Sequence, residues 1–128
     1  MISRDDYFRG RDITHRADWN DQIEAQAAIT VKRANQLLDA FGEPRGVNSG
    51  WRPPEVNAAT PGAAPYSRHV TAQAVDLHDP EGDLDEWCLA HPDVLTSIGL
   101  WQEHPASTKG WCHLQTVPPK SGNRVFYP

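Results

Sequence analysis

Ser67-Arg68-His69 is followed, seven positions after the histidine, by Asp76, and the residues between include Ala72, Ala74 and Val75. A histidine and an aspartate at the two ends of a small, apolar segment can converge on one ion. Zinc accepts imidazole nitrogen and carboxylate oxygen at about 2.0–2.2 Å. A third ligand stands in Trp111-Cys112-His113-Leu114-Gln115, where bulky residues flank His113. Three protein ligands (His69, Asp76, His113) with a fourth position for water make a hydrolytic zinc arrangement. Spacing alone leaves an alternative open, because six histidines make chance pairings common. In that alternative His69 is a satisfied core histidine and Asp76 an unrelated turn residue.

Further blocks narrow the choice. Ser49-Gly50-Trp51-Arg52-Pro53 precedes the pair, Ser67-x-His69 leads through Ala74 to Asp76, and Trp111-x-His113 follows. In that order the three blocks resemble the zinc D-Ala-D-Ala carboxypeptidase and dipeptidase family, which includes phage L-alanyl-D-glutamate endopeptidases. They are similar to its Ser-Gly-aromatic-Arg, its Ser-x-His-x-x-Gly-x-Ala-x-Asp and its last ligand strand. The resemblance spans residues 49–113. It implies a hedgehog/DD-peptidase-like fold, Zn2+ held by His69, Asp76 and His113, and Arg52 facing the substrate. There Arg52 would polarise the scissile carbonyl or hold a peptide carboxylate.

Two positions depart from the family's pattern. Ala72 replaces its usual glycine, a tolerable change if the backbone there has negative φ. Gly110 stands three residues before His113, where the family carries Glu or Asp as general base. The nearest acidic replacement is Glu103, in Gly99-Leu100-Trp101-Gln102-Glu103-His104-Pro105. It falls where one strand ends and a loop returns toward His113, and His104 is a second candidate. A carboxylate within reach of the attacking water accepts its proton and passes it to the leaving amine.

Ser67, Gln115 and Trp111 complete the set that contacts substrate or supports the ligands. Ser67 suits a hydrogen bond fixing the metal loop better than a nucleophilic role, since no Ser-His-Asp pattern accompanies it. His78, two residues after Asp76, would share its side of a strand. Trp51, Trp101 and Trp111 are candidates to line a groove, while Trp19 and Trp87 read as packing. Cys112 should face away from His113, into the core. The acidic run Asp79 to Glu86 lacks the ligand spacing of a calcium loop.

These residues need elements to hold them. From about Asp21 to Phe41 the apolar set Ile23, Ala27, Thr30/Val31, Ala34, Leu37/Leu38, Phe41 recurs at three and four, one face of a helix. Asp18 or Asn20 can cap it, and Gly42 and Pro44 end it. Gly46 to Trp51 reads as a short extended stretch, and residues 53–66, with four prolines, as a loop. Val70 to Leu77 reads as a buried strand. Asp79-Pro80-Glu81-Gly82 is a turn. Asp83 with Glu86 makes a capping box for a helix from about Leu84 to Ala90, and a further turn runs from Asp93 to Ile98. Gly99–Gln102 and Trp111–Val117 read as two more strands. Residues 1–18 read as a polar segment with Tyr7 and Phe8 as anchors, and residues 118–128 as an irregular tail. The order predicts an α+β fold with a small antiparallel sheet flanked by helices.

The chain has 128 residues, which suits a single domain over residues 1–128. Twelve basic against seventeen acidic residues give a net charge of −5. That balance argues against nucleic acid as a partner and against a polybasic membrane anchor. No stretch approaches a transmembrane span, and Met1 to Arg11 lacks the apolar run of a signal peptide. Two cysteines make no disulfide framework, so a reduced pair is expected. The expectation is a monomeric zinc peptidase made in a cytoplasm and acting on peptidoglycan stem peptides of the bacterial cell wall, in a phage or prophage setting. The alternative is a non-catalytic, zinc-stabilised binding or phage structural module, which the glycine at position 110 keeps open.

Overall fold

The computed structural model describes residues 1–128. The long predicted helix is α3 (Asp21–Phe41). Asn20 caps it, its side chain accepting from the Ile23 N–H at 2.8 Å, and Gly42 ends it with a left-handed φ of +92°. Its buried face carries Ala27, Thr30, Ala34, Leu37 and Leu38. That face packs against a five-stranded sheet built of β1 (Val47–Ser49), β2 (Ala74–Asp79), β3 (Trp101–Glu103), β4 (Gly110–Gln115) and β5 (Val125–Phe126). The spatial order is β1-β2-β4-β3-β5. All neighbours run antiparallel except β3 and β5, which are parallel. The architecture is therefore α+β with helices flanking a mainly antiparallel sheet.

Five features differ from the sequence reading. Residues 1–18 hold two short helices, α1 (Arg4–Phe8) and α2 (Arg11–Thr14). A Ser3–Asp6 capping box starts α1, while Tyr7 and Phe8 anchor the segment as expected, fully buried in the core. The proline-rich stretch contains α4 (Pro54–Ala59), whose first-turn proline fits the helix start. The tail pairs with β3 through the β5 strand. Finally, α5 (Asp83–Ala90) is not capped by Asp83, which bonds Arg45 instead. Its free N–H groups at Leu84 and Asp85 are taken by the buried Asp79 carboxylate at 3.1 and 2.8 Å. The next helix, α6 (Pro92–Ile98), follows at once, where a turn was expected.

The β2–β4 register determines the site. Asp76 lies opposite His113, and Leu77 lies opposite Cys112. Alternation then sends Asp76 and His113 to one face and Leu77 and Cys112 to the core. Cys112 and Cys88 are both buried and reduced, as expected.

Candidate metal centre

His69 lies in the turn that feeds β2, and several elements pin that turn. Ser67 Oγ accepts the His69 backbone N–H at 3.2 Å, and the Arg52 N–H donates to the His69 carbonyl at 3.0 Å. Trp51 Nε1 donates to the Val70 carbonyl at 3.0 Å. Trp51 is buried beside Phe8, so it braces the loop from within the core and does not line a groove. Thr30 of α3 donates its hydroxyl to the Ala72 carbonyl at 2.8 Å. Ala72 itself has φ +59°, not the negative value under which alanine would be free of strain. A non-glycine residue there carries roughly 1–2 kcal/mol of strain, held by the surrounding bonds and by a methyl group buried in the core.

The three predicted ligands meet. His69 Nε2, Asp76 Oδ1 and His113 Nδ1 face one another, with Oδ1 at 3.2 Å from the first and 2.8 Å from the second. One donor atom from each residue lies within 4.8 Å of the others. A tetrahedral zinc shell spaces its ligand atoms by about 3.3 Å, so the trio is already near that size. The buried state of His69 supplies a separate test of fit. Its Nδ1–H donates to the Gly50 carbonyl at 2.8 Å, which leaves Nε2 as a bare lone pair. That Nε2 is buried and has no hydrogen-bond partner. Burial also lowers the His69 pKa, so the ring is neutral. A neutral imidazole with its free nitrogen aimed at a carboxylate is the donor that zinc requires.

Asp76 is ionised. Burial would raise its carboxyl, but contact with His113 and His69 outweighs that and holds it well below the ordinary carboxylate range. Its second oxygen, Oδ2, accepts from Arg52 Nη2 at 3.1 Å. Arg52 also donates to Ser49 Oγ at 2.8 Å and to Asn57 Oδ1 at 3.4 Å. Its guanidinium is thus turned toward Asp76 as well as toward the space above it. At His113 burial works to lower the pKa, but Asp76, Glu103 and Gln115 raise it overall.

A cavity of about 510 Å3 opens onto the trio. Arg52, Ser67, Glu103, Trp111 and Gln115 all line it, with Phe126 as one wall. Glu103 reaches to 4.0 Å from His113 Nδ1. The β3–β4 register pairs Trp101 with Gln115 and Gln102 with Leu114, and its continuation sets Glu103 opposite His113. Burial raises the Glu103 carboxyl above its usual value. Gly110 has φ +103° with open space where a side chain would stand; a carboxylate there would have room but a strained backbone.

Other candidates fall elsewhere. His78 is exposed on β2, and His104 stacks on Tyr127 with its Nδ1 accepting the Ala106 N–H. Trp101 lies under Arg124. Two contributors were not foreseen. Asn57 links Arg52 to the cavity's loop wall by donating to the Ala64 carbonyl at 2.9 Å. Phe126 meets the His113 ring edge-on at 6.2 Å. The Phe126-Tyr127 pair ending the tail was the available signal for the latter; Asn57 had none.

The family model for Peptidase M15 matches residues 7–101. No curated protein and no solved structure matches the chain. The matched span takes in Arg52, His69 and Asp76 and stops before Glu103 and His113. It covers about three quarters of the sequence, and the α+β fold with its five-stranded sheet agrees with it. The chain belongs to the M15 peptidase family, whose members are zinc-dependent.

Proposed function

We propose that this M15 family member is a zinc peptidase that hydrolyses a bond in peptidoglycan stem peptides, of the D-Ala–D-Ala or L-Ala–D-Glu type, in a phage or prophage setting. Residues 1–128 would act as one monomeric catalytic domain. The observation that carries the reading is the single cavity shared by the His69–Asp76–His113 trio and the Glu103 carboxylate.

His69, Asp76 and His113 would hold the ion. Zinc, when bound, supplies Lewis acidity to a water and to the scissile carbonyl. Glu103 accepts the proton of the attacking water and delivers it to the leaving amine nitrogen. Burial raises its carboxyl above the ordinary value, the direction that makes a carboxylate a stronger base. Arg52 holds Asp76 through Oδ2, and its remaining N–H groups meet the substrate carbonyl or a peptide carboxylate. Ser67 fixes the loop that carries His69. Trp111 and Phe126 give the peptide apolar walls. The position of Glu103 inside the cavity favours catalysis over a zinc-stabilised module without a base.

The test is a digest of purified peptidoglycan by the zinc-loaded protein, read by mass spectrometry beside His113→Ala. A zinc-dependent fragment, absent with the variant, is expected, and its mass names the bond. Intact peptidoglycan in the presence of stoichiometric bound zinc would overturn the peptidase reading in favour of the module.

A further inference from the structure

Gln115 ends β4 two residues after His113, so both side chains rise from one face of the sheet. The residue is only 5% exposed. Its amide is oriented from its far end: the Nε2 group donates to the Val117 carbonyl at 2.9 Å. A carbonyl only accepts, so nitrogen faces Val117 and oxygen faces His113. Gln115 Oε1 stands 3.1 Å from His113 Nε2. That oxygen also only accepts, so the contact requires a proton on Nε2. The nitrogen left to face the centre is Nδ1, 2.8 Å from Asp76 Oδ1. His69 is set the other way, with Nδ1–H on the Gly50 carbonyl and Nε2 bare. The two imidazoles therefore offer unlike nitrogens, each selected by the acceptor behind it. Phe126 holds the His113 ring from the side but offers no hydrogen bond, so behind the centre it is Gln115 that hydrogen-bonds the ring.

We infer that Gln115 is a positioning residue for the metal centre: its amide oxygen holds His113 in the Nε2–H form and at the ring angle that makes Nδ1 the ligand. The inference rests on the reading of the trio as a metal site. Each end of the amide is engaged within the chain, the oxygen on His113 and the nitrogen on Val117, which is the arrangement of a group that supports a ligand.

The test compares the full chain with Gln115→Met, of similar size with only a weakly accepting thioether, and Gln115→Glu, which keeps a strong oxygen acceptor. Zinc affinity is measured by competition with a chromogenic chelator. The His113 Nε2–H signal of the zinc-loaded protein is followed by 15N–1H NMR. Gln115→Met should bind zinc roughly 10–100-fold more weakly and lose the exchange-protected ring N–H. Gln115→Glu should recover most of the affinity and the signal. Wild-type affinity in Gln115→Met, even with a lowered melting temperature, would mark a purely structural residue and overturn the inference, as would equal loss in both variants. Failure of the wild type itself to bind zinc would overturn the metal-centre reading, and this inference with it.

Discussion

A methyl group on Gly50 would collide with the Tyr7 carbonyl oxygen and stand 2.8 Å from the Tyr7 ring. Backbone cannot yield as a flexible side chain can, so the glycine is required by close approach. The same residue's carbonyl accepts the His69 Nδ1–H. Gly50→Ala should therefore act twice: overpacking should destabilise the chain by about 1–3 kcal/mol, and displacement of the carbonyl should weaken zinc. Denaturant midpoints and a zinc titration on the same variant check both parts. Glu103 makes the opposite kind of prediction. Glu103→Gln keeps shape and zinc but lacks a basic oxygen pair, so turnover should fall roughly 10²–10⁴-fold. Unchanged turnover with zinc at full stoichiometry would remove Glu103 from the mechanism.

At the scale of elements, the sheet acts as a ruler. Antiparallel pairing sets Asp76 beside His113 and brings Glu103 across from it; in the proposed mechanism this carboxylate on the neighbouring strand would take the place of one three residues upstream. Asp79, at the end of the strand that carries Asp76, anchors α5 through two N–H groups. Burial, together with neighbouring acidic groups, raises its carboxyl above the ordinary value despite those bonds. The native state therefore binds more protons than the unfolded chain over the window starting near the ordinary aspartate value and extending upward. Stability falls as pH rises through that window. Asp79→Asn cannot titrate, so wild-type stability relative to this variant should decline with rising pH. Thermal melts of both proteins across the acid range would show no such trend if the assignment were wrong. The convergence of His69, Asp76 and His113 and the helix α3 were legible in the sequence because each rests on a local pattern: a block of chemistry-bearing residues, or a helical period with caps. The short helices α1, α2 and α4 were not. Their few turns carry no period, and tertiary burial of Tyr7 and Phe8 and docking of the proline-rich stretch decide them. β5 was equally hidden, since a two-residue parallel strand exists only by pairing with β3. Asp79 as cap was missed because it precedes its helix through a turn, outside the usual capping spacing.

For the whole molecule, the core is one cluster of 18 buried apolar residues joining α1, α3, α5, α6 and the inner face of the sheet. The candidate metal centre lies on that sheet's other face and joins the loop before β2 to β2 and β4. No helix is long and apolar enough to cross a membrane. An ion binding only the folded chain adds its binding free energy to stability, about 2.7 kcal/mol at a hundredfold excess over Kd. For a chain of this length the zinc-loaded form should melt higher by on the order of 10 °C, and a strong chelator should reverse the shift. A melting temperature indifferent to zinc and chelator would contradict a centre that spans three segments.

The Asp76–His113 pairing also bears on how the chain reaches its native state. A slip of one residue between β2 and β4 would rotate one ligand to the opposite face. Such a misregistered state would keep much of its strand pairing yet hold no complete ligand set. Zinc held by the trio would therefore favour only the native register over such near-native traps. Because the paired residues lie 37 apart in sequence, closure of that long loop must come before capture. Ion uptake during refolding should then trail sheet formation, making zinc a late proofreader of strand alignment.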